Sequence, residues 1–452
     1  MHIADLRDRR VAVWGFGREG RAAIRALRQR CADQRFTLFC SAVEVDAARA
    51  FDATLDVVAG EPDAATLGQV DVVVKSPGIS AYKPALLAAA AQGTRFTSGT
   101  ALWFGENPDA RVIAVTGTKG KSTTSALIAH LARALGVRTA LAGNIGLPLL
   151  ELLDQRAELW VIELSSFQTG EAGPLELGVI TSLYEEHLDW HGSRERYVSD
   201  KLRLADVSRR LLVNALQPAL LERTQDHPQR LLFGQPKGWH VSDGFICRGA
   251  QAVFPIGQLA APGLHNALNA CAALAALEAI DMDALAAAPS LARFRPLPHR
   301  LQPLGEREGF DWVNDSISTT PLATLAALES LHGRAVTVLV GGHDRGLDWT
   351  PFVDAMRSAP PNAIICMGSN GARIEAALRA IEVRCPMVRV DDLASAVTGA
   401  RTRTPRDGVI LLSPGAPSFD QFKDYAERGR RFAALAGFDA ATITGIDGLG
   451  IG

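Results

Sequence analysis

One segment, residues 111–135, restricts the fold of this 452-residue chain more than any other. It contains an apolar strand pattern, the glycine-rich motif GTKGKST at 117–123, and a long amphipathic helix pattern. Such a turn directs backbone N–H groups and the positive end of the helix dipole at one point, which favours a phosphate group. Lys121 is placed to reach the β- and γ-phosphates of a nucleotide, and Ser122 or Thr123 to ligate Mg²⁺. A strict P-loop has a further glycine where this chain has valine, so the segment predicts a variant P-loop domain.

The rest of the chain also alternates strand and helix patterns, which predicts an α/β fold with parallel sheets covered by helices. A proline-punctuated link lies at 294–301, and we predict three domains at 1–99, 100–296 and 297–452. The glycine-rich end, 445–452, is expected to be loose and peripheral. Apolar strand patterns that end in polar or glycine residues lie at 11–17, 70–80, 159–168, 177–187, 336–346, 363–371 and 408–418.

The composition excludes several classes of protein. Lys and Arg number 47 and Asp and Glu 49, so the net charge of −2 argues against a nucleic-acid or polybasic membrane binder. The six cysteines are scattered without a CxxC pair, which fits a reducing compartment and offers no zinc site. No apolar run reaches the roughly 18 residues of a membrane span, and the N-terminus lacks signal-peptide features. We therefore expect a soluble cytoplasmic protein.

The first strand pattern runs into glycines with the spacing GxGxxG, at Gly15, Gly17 and Gly20. Glycines at this spacing let backbone N–H groups approach a diphosphate at a helix N-terminus. The acidic residue that would bind the ribose of a nicotinamide dinucleotide is missing, since Cys40 and Ser41 stand at the expected place. The motif favours a different nucleotide diphosphate, and nicotinamide dinucleotide stays an open alternative.

Further polar residues follow strand patterns or start helix patterns. Glu163 closes an apolar strand in ELSSFQ, where a carboxylate near a phosphate loop suits a metal ion. His187 follows the next strand pattern and Lys201 lies on a predicted helix, although a structural histidine and a solvated lysine are the ordinary interpretations. Asp315 could hold a ribose or a base, or cap a turn. Residues 413–425 form a loop entering a helix, whose hydroxyls and N–H groups suit a carboxylate.

Together these motifs resemble the Mur ligases, the enzymes that build the cytoplasmic peptidoglycan precursor. The resemblance extends from about residue 11 to 435, and it is strongest to the members that add glutamate. The motifs that carry it occur in order: SPGI (76–79), GTKGKST, GNIGLP (143–148), ELSSFQ (163–168), EEHLD (185–189), DKLR (200–203), HNALNA (265–270), LPHR (297–300), NDS (314–316), GGHDRG (341–346) and SFDQFK (418–423).

The resemblance implies a separate task for each domain. A Rossmann-like first domain holds the UDP part of the substrate, a central P-loop-type ATPase domain with a mostly parallel sheet binds ATP, and a C-terminal Rossmann-like α/β domain binds the incoming amino acid. A monomer is expected. The residues that match UDP-substrate positions are Gly15, Phe16, Gly17, Arg18, Ser76, Pro77 and Gly78. The residues that match ATP positions are Gly117, Thr118, Lys119, Gly120, Lys121, Ser122, Thr123, Asn269, Arg300 and Asp315.

The implied reaction is phosphoryl transfer followed by acyl transfer. The alanyl carboxylate of UDP-N-acetylmuramoyl-L-alanine attacks the γ-phosphate of ATP and forms an acyl phosphate, because a carboxylate by itself is a poor acyl donor. The amine of glutamate then displaces the phosphate. In the family pattern Lys121 stabilises the transferred phosphoryl group, and Asn144 lies near the reacting groups.

The resemblance also implies two Mg²⁺ ions. Ser122 and Glu163 match the ligands of one ion, and His187 and Lys201 match the position of the second. In the family this lysine is carbamylated, which converts an ammonium group into a carboxylate-like ligand. The same modification is expected for Lys201, since a cation at that position would repel Mg²⁺.

The predicted glutamate pocket departs from the common pattern. Its members are Thr319, Arg345, Ser418, Phe419 and Tyr425. Arg345 and Ile317 stand where the family usually has lysine, Tyr425 stands for phenylalanine, and Glu186, outside the pocket, stands for aspartate. Replacing lysine with arginine changes a point charge into a planar fork and alters how a carboxylate is held. We infer that the incoming substrate differs in shape while the chemistry is retained.

The other enantiomer of glutamate is the natural candidate for that difference. One branch of the family adds L-glutamate, and the segments at 14–23 and 184–197 resemble that branch. The sequence thus favours L-glutamate, with D-glutamate as the alternative.

Three more distant hypotheses remain. A nicotinamide-dependent oxidoreductase is disfavoured by GTKGKST and by the missing ribose acid. Folylpolyglutamate synthase has a similar phosphate loop, but SPGI and the N-terminal glycine turn favour a UDP-sugar domain. A non-catalytic binding protein would have no need to keep Lys121, Glu163, His187 and Lys201 together.

Overall fold

The fold is taken from a computed structural model, which describes residues 1–184, 188–260, 263–443, 445–446 and 448–452, without the side chains of residues 188 and 189. The chain divides into two units. The first unit consists of Met1–Pro255, Leu268–Leu291 and Gly448–Gly452, and the second of Ile256–Ala267 and Ala292–Asp447. His187 and Glu186 lie outside the described residues, so the predictions made for them stay predictions.

The first sheet of the first unit is parallel and has the strand order β3-β2-β1-β4-β5. This order is that of a Rossmann-like half, in which the β1 end and the next helix meet a ligand. The strands are β1 (Val11–Trp14), β2 (Phe36–Cys40), β3 (Asp56–Ala59), β4 (Val72–Lys75) and β5 (Arg95–Thr97). The helices of this part are α1 (Arg18–Arg30), α2 (Val45–Phe51), α3 (Ala64–Leu67), α4 (Pro84–Ala91) and α5 (Gly99–Glu106).

The second sheet of the first unit is the central one, and six of its strands are parallel in the order β11-β10-β9-β6-β8-β7. These strands are β6 (Val112–Thr116), β7 (Thr139–Gly143), β8 (Leu159–Glu163), β9 (Leu175–Ile180), β10 (Ser208–Asn214) and β11 (Arg230–Phe233). Its helices are α6 (Lys121–Ala134), α7 (Leu188–His191), α8 (Arg194–Asp206), α9 (Pro218–Arg223), α10 (Leu264–Ala279) and α11 (Ala284–Ala287). A small antiparallel sheet that the sequence patterns did not predict follows, with strands β12 (Trp239–Ser242), β13 (Phe245–Arg248) and β14 (Gln251–Pro255).

One apolar core extends through both of the larger sheets of the first unit. The helix α5 begins at the predicted boundary near residue 99, and its Trp103 is fully buried. The Trp103 ring lies 4.6 Å from that of Trp160 on β8 and 5.2 Å from that of Phe104. Aromatic side chains of this size contribute much of the energy of a core, so this junction is packed rather than open.

The second unit contains a six-stranded sheet in the order β15-β16-β20-β17-β18-β19. All neighbours are parallel except the β15–β16 hairpin. Its strands are β15 (Gln302–Arg307), β16 (Phe310–Asn314), β17 (Val336–Val340), β18 (Ala363–Cys366), β19 (Met387–Arg389) and β20 (Val409–Leu412). Its helices are α12 (Pro321–Ser330), α13 (Thr350–Ser358), α14 (Gly371–Ala380), α15 (Leu393–Arg401) and α16 (Tyr425–Leu435).

The C-terminal end corrects one sequence-based prediction. Residues 448–452 belong to the first unit, not to the third predicted domain, and they are not loose. The strand β21 (Gly450–Ile451) pairs antiparallel with β7 at the edge of the central sheet. The Arg133 guanidinium donates hydrogen bonds to the carbonyl oxygens of Gly448 and Gly450, at 2.6 and 2.9 Å. Composition alone pointed to disorder, but an open sheet edge offers unpaired backbone groups that such a segment can satisfy.

Candidate active site

The predicted phosphate loop is the GTKGKST segment at 117–123, and its geometry requires its two glycines. Gly117 and Gly120 have φ values of +148° and +85°. A Cβ atom on Gly117 would lie 2.1 Å from the Thr181 hydroxyl oxygen, and one on Gly120 would lie 2.5 Å from Oδ1 of Asn269. Only glycine has access to such backbone conformations without a steric penalty and leaves these positions open. The structure thus brings the loop and Asn269, both predicted ATP-binding positions, into contact.

The loop is held in place by hydrogen bonds to the neighbouring strand end. The Thr118 backbone N–H donates to the Ser182 carbonyl at 2.9 Å, and the Lys119 N–H donates to the Ser182 hydroxyl at 2.8 Å. Lys121 is the first residue of α6, and its Nζ donates to the Thr118 carbonyl at 3.0 Å. Ser122 is buried in the same helix turn and Thr123 is half-buried. These hydrogen bonds fix the shape of the loop and keep the Lys121 ammonium group at the N-terminus of α6, the end of a helix that favours a phosphate.

Glu163 is the residue whose surroundings point most directly to a metal ion. It ends β8, and its register partner on β6 is Val115, so it lies next to the start of the phosphate loop. Its side chain is 1% exposed, and Oε1 accepts a hydrogen bond from Nδ2 of Asn144 at 2.9 Å. Oε2 is buried without a hydrogen-bond partner among the described residues. A buried carboxylate oxygen without a partner is costly, and Mg²⁺ prefers oxygen ligands of this kind.

Lys201 lies on α8, facing the phosphate loop. It is 2% exposed, and its Nζ donates to the Gly117 carbonyl at 3.1 Å. Nζ also lies 5.0 Å from the centre of the Tyr197 ring, whose hydroxyl shares a 2.7 Å hydrogen bond with that of Thr118. Among the described residues no group of three or more His, Cys, Asp or Glu side chains could hold a metal ion. Among the predicted ligands, Glu163 and the Ser122 hydroxyl offer the oxygen donors that Mg²⁺ prefers, whereas Lys201 could offer them only as a carbamate.

The two predicted UDP-substrate turns lie against each other. A Cβ atom on Gly15, where φ is +102°, would lie 2.7 Å from the Ser76 hydroxyl, and one on Gly20 would lie 1.8 Å from the Gly15 carbonyl oxygen. The Ser76 hydroxyl is buried without a hydrogen-bond partner among the described residues. Phe16 is buried under the Arg21 guanidinium, 4.6 Å from its ring centre. The unpaired hydroxyl beside a glycine turn fits a polar ligand group.

The other residues predicted for this turn lie at its rim. Gly17 is the N-cap of α1, and a Cβ atom there would meet nothing within 4 Å. The Arg18 guanidinium donates to the Gly146 carbonyl at 2.9 Å, and the Pro77 carbonyl accepts from the Trp190 indole at 3.1 Å. A Cβ atom on Gly78 would also meet open space. The backbone of both turns is therefore accessible to a ligand at these points.

Several ionisable side chains of the first unit surround Glu19, which follows the glycine turn on α1. Burial, with Glu171 and Glu151 nearby, raises the pKa of Glu19 to about 7, although Arg18 opposes the shift. Glu171 pairs with the buried Lys75 at 3.3 Å and accepts a hydrogen bond from the Ser98 hydroxyl at 2.5 Å. The pKa of the half-buried Glu19 carboxyl group therefore lies near neutral pH, a property that no sequence motif predicted.

In the second unit Asp315 is held at the end of β16. Its Oδ1 accepts from the Leu301 N–H at 3.0 Å, and its Oδ2 accepts from the hydroxyls of Ser413, at 2.8 Å, and Ser318. Burial raises the pKa of Asp315 to about 6, and the nearby Arg300 guanidinium is among the groups that lower it. Arg300 and Asp315, both predicted to contact ATP, are thus close enough to interact electrostatically.

The predicted glutamate pocket is partly assembled within the second unit. The Arg345 guanidinium lies 5.6 Å from the centre of the Phe419 ring, which is 58% exposed, and the His343 ring lies 6.4 Å from it. Ser418 is buried, and Thr319 is half-buried in the loop after β16. These loops present a cation and an aromatic ring that a dicarboxylic amino acid could contact.

Arg428 on α16 is a residue that the sequence analysis missed. It is 1% exposed and donates hydrogen bonds to the carbonyls of Ala416 at 3.0 Å, Pro417 at 3.2 Å and Ser316 at 2.8 Å. Burial lowers its pKa to about 10. The Ser316 hydroxyl in turn donates to the Tyr425 carbonyl at 2.8 Å. This guanidinium fixes the two loops that contain most of the predicted pocket, yet an arginine on a helix ordinarily predicts only a solvated side chain.

Comparison with known protein families places this fold and site in one class. Three family models match successive parts of the chain: "Mur ligase MurD-like, N-terminal domain" over 9–98, "Mur ligase middle domain" over 115–277 and "Mur ligase, glutamate ligase domain" over 299–415. The chain belongs to the Mur ligase family, as its motifs predicted, and the family is one of ATP-dependent amide-forming ligases.

Several curated relatives share one name, UDP-N-acetylmuramoyl-L-alanine--L-glutamate ligase. The relative from Xanthomonas axonopodis pv. citri is 50% identical, with 100% of both chains covered. The relative from Xylella fastidiosa is 49% identical over 100% of both chains. A more distant relative from Micromonospora sp. is 39% identical over 96% of this chain and 97% of its own.

Solved structures confirm the predicted fold class. The UDP-N-acetylmuramate-alanine ligase from Thermotoga maritima matches with a TM-score of 0.59 at 18% identity, over 94% of this chain and 98% of its own. The MurF ligase from the same organism, solved in complex with ADP, matches with a TM-score of 0.58 at 15% identity, over 98% and 97%. At such low identity these structures support the three-domain α/β architecture alone. No helix in the described parts of the chain is long and apolar enough to cross a membrane.

Proposed function

We propose that this chain uses ATP to add L-glutamate to UDP-N-acetylmuramoyl-L-alanine, in the cytoplasm and as a monomer. The observation that carries the proposal is the full-length identity of 50% to a relative named for that reaction. Glu163 lies beside the phosphate loop, and one of its oxygens has no partner in the described part of the chain, which supports the ATP-dependent chemistry independently. The segments that suggested the L-glutamate branch and the altered pocket residues support the choice of enantiomer.

The residues of the first unit would activate the substrate carboxylate. The N–H groups at the start of α6 and Lys121 would bind the β- and γ-phosphates and offset the negative charge that develops as the carboxylate attacks. Glu163 and Ser122 would hold one Mg²⁺, which would neutralise negative charge on the phosphate oxygens. Asn144 orients the Glu163 carboxylate through its 2.9 Å hydrogen bond. The second predicted ion would involve His187 and a carbamylated Lys201.

The residues of the second unit would hold glutamate for attack on the acyl phosphate. Arg345 can bind a carboxylate through two parallel N–H donors, a geometry that lysine cannot offer. The Phe419 ring next to it limits the space on one side. The buried Ser418 and the Arg428 contacts would keep the pocket loops in one arrangement, so that the amine is presented at one angle.

The experiment that tests this proposal is a pairwise comparison of amino acids. Purified protein is mixed with ATP, Mg²⁺ and UDP-N-acetylmuramoyl-L-alanine, and phosphate release is followed with L-glutamate or D-glutamate. We expect turnover with L-glutamate only. The Lys121→Ala variant is the control, because loss of the cation at the transferred phosphoryl group should abolish release. Turnover with D-glutamate alone would refute the assigned enantiomer, and turnover by Lys121→Ala near the wild-type rate would refute the phosphate-loop assignment.

A further inference from the structure

Three buried side chains of the first unit form a hydrogen-bonded chain that the proposed reaction does not use. The Ser166 hydroxyl lies 2.9 Å from Nε2 of His191, and Nδ1 of His191 lies 2.7 Å from Oδ2 of Asp200. The Tyr82 hydroxyl donates to the same carboxylate, at 2.7 and 2.8 Å from its two oxygens. His191 is fully buried, and Ser166 and Asp200 are 5% and 7% exposed.

The hydrogen bonds of this chain fix the orientation of the imidazole. An ionised carboxylate only accepts, so Nδ1 carries the proton that is donated to Asp200. In the neutral imidazole Nε2 is then an acceptor, and the Ser166 hydroxyl donates to it. The ring is also enclosed by the aromatic rings of Phe167, Trp190 and Tyr197, whose centres lie 5.4, 4.5 and 5.2 Å from its own. A single tautomer and ring orientation of His191 therefore makes all of these hydrogen bonds.

The two ends of this hydrogen-bonded chain, Ser166 and Asp200, are close in sequence to predicted metal ligands. Asp200 directly precedes Lys201 on α8, and Ser166 lies in the turn that follows Glu163 at the end of β8. The Thr169 hydroxyl adds a second link, since it donates to the Asp200 carbonyl at 2.6 Å. His191 therefore connects the helix turn that bears one predicted ligand with the turn that follows the other.

A hydrolytic role would be the other interpretation of a Ser-His-Asp chain. A nucleophilic serine must be reached by the acyl group that it attacks. Here the serine is almost completely buried and the histidine has no exposed surface. Burial of all three members favours a supporting role.

We propose that His191 is a positioning residue that holds Glu163 and Lys201, one ligand of each predicted Mg²⁺ ion, in the placement that binds the metal. It acts through Asp200 on one side and Ser166 on the other, and it touches no substrate. The inference rests on the proposed function only for the presence of Mg²⁺ at these two residues. Groups that are hydrogen-bonded to metal ligands orient them, and their loss typically costs about 10- to 100-fold in metal affinity. His191 lies one step further from the ligands, so the lower end of that range applies.

The test measures metal binding directly. Mn²⁺ is titrated into the full chain in the presence of ADP, and free Mn²⁺ is followed by electron paramagnetic resonance. His191→Phe keeps an aromatic ring in the cluster but removes both nitrogens, and we expect Mn²⁺ affinity to fall about ten-fold. His191→Asn keeps an amide near the Nδ1 position that can donate to Asp200, and we expect a smaller loss.

The matched control is His227→Phe. His227 lies in the same unit, is half-buried, and makes a 3.0 Å contact from Nε2 to the Ser208 carbonyl, away from the chain described above. Its replacement should leave Mn²⁺ affinity unchanged within about two-fold. Circular dichroism shows whether His191→Phe folds. If it does not, Ser166→Ala removes one end of the hydrogen-bonded chain with a minimal change of shape, and it should also weaken Mn²⁺ binding.

The outcomes separate this inference from the proposed function. A folded His191→Phe or Ser166→Ala variant that binds Mn²⁺ as tightly as the wild type overturns the inference, and so does wild-type protein that binds no Mn²⁺ with ADP. Weakened Mn²⁺ binding in a protein that releases no phosphate with either glutamate enantiomer supports the inference and overturns the proposed function.

Discussion

Gly17 and Gly20 belong to the same N-terminal turn, and replacing each of them with alanine tests a different property. Gly20→Ala tests the contribution of close packing to stability, and Gly17→Ala tests substrate binding. Gly20 lies on α1 under the turn, where an added Cβ would come within 1.8 Å of the Gly15 carbonyl oxygen. Because the oxygen belongs to the backbone, the helix and the turn must move apart by more than an ångström. Overpacking of this kind costs about 1–3 kcal/mol, partly offset by about 1 kcal/mol from the higher helix propensity of alanine. Because the clash is with backbone, the upper part of this range, about 2–3 kcal/mol, applies. After the offset we expect Gly20→Ala to lower the free energy of unfolding by about 1–2 kcal/mol.

Gly17→Ala is the matched change. Its φ is −67°, which alanine adopts readily, and the added Cβ meets nothing within 4 Å. The loss of glycine at an N-cap and the gain from a less flexible unfolded chain nearly cancel, so stability should change by less than about 1 kcal/mol. If this turn binds the UDP part of the substrate, however, the new methyl group occupies the space of the ligand.

The assay for both variants combines urea unfolding with steady-state kinetics. We expect Gly17→Ala to unfold like the wild type but to raise KM for UDP-N-acetylmuramoyl-L-alanine at least ten-fold, a loss of about 1.4 kcal/mol. KM for ATP should stay the same in this variant. An unchanged KM for the UDP substrate in Gly17→Ala would refute the assignment of this turn, and a Gly20→Ala variant as stable as the wild type would refute the steric argument.

Two further changes test ionisable groups. Lys201→Ala should be nearly inactive and should regain part of its activity with added acetate. Lys201→Arg, which keeps the positive charge, should not respond to acetate. Equal responses of the two variants would contradict the proposed carbamylation of Lys201. The pKa of Glu19 is raised from 4.5 to about 7 in the folded protein. Between pH 4.5 and 7 the folded state therefore keeps a proton that the unfolded state has released. The free energy of unfolding consequently falls as the pH rises through this range. Glu19→Gln should therefore stabilise the protein by at most about 3 kcal/mol at pH 8 and by little near pH 4.5, as measured by urea unfolding at both pH values; an equal gain at both would contradict the raised pKa.

Much of the fold was predictable because its signals are local. The buried strand β6, the GTKGKST turn and α6 follow one another within 25 residues, so periodicity and glycine placement were sufficient to predict them. Glu163 was predictable for a related reason, since carboxyl ends of parallel strands meet at one edge of a sheet. The residues proposed to bind glutamate in the second unit could be proposed only through resemblance, because a serine, an arginine or a tyrosine in a loop has no distinctive spacing.

Other features depend on contacts between distant parts of the chain. The glycine-rich end reads as loose, and it becomes ordered because β7 leaves an open sheet edge for β21. Arg428 reads as a solvated helix residue, and it is buried because carbonyl groups of two distant loops surround it. A linear pattern contains no information about which distant carbonyl or strand edge lacks a partner.

The sequence by itself determined the alternation of strands and helices, the phosphate loop and the membership of a ligase family, because these depend on residue types at short, fixed spacings. Only the tertiary structure decided which polar atoms are buried and which of them lack partners. Glu163 Oε2 and the Ser76 hydroxyl are unpaired among the described residues, while Ser166, His191 and Asp200 satisfy one another. The cost of removing a polar group from water depends on its surroundings in space, and those surroundings exist only once the chain has folded.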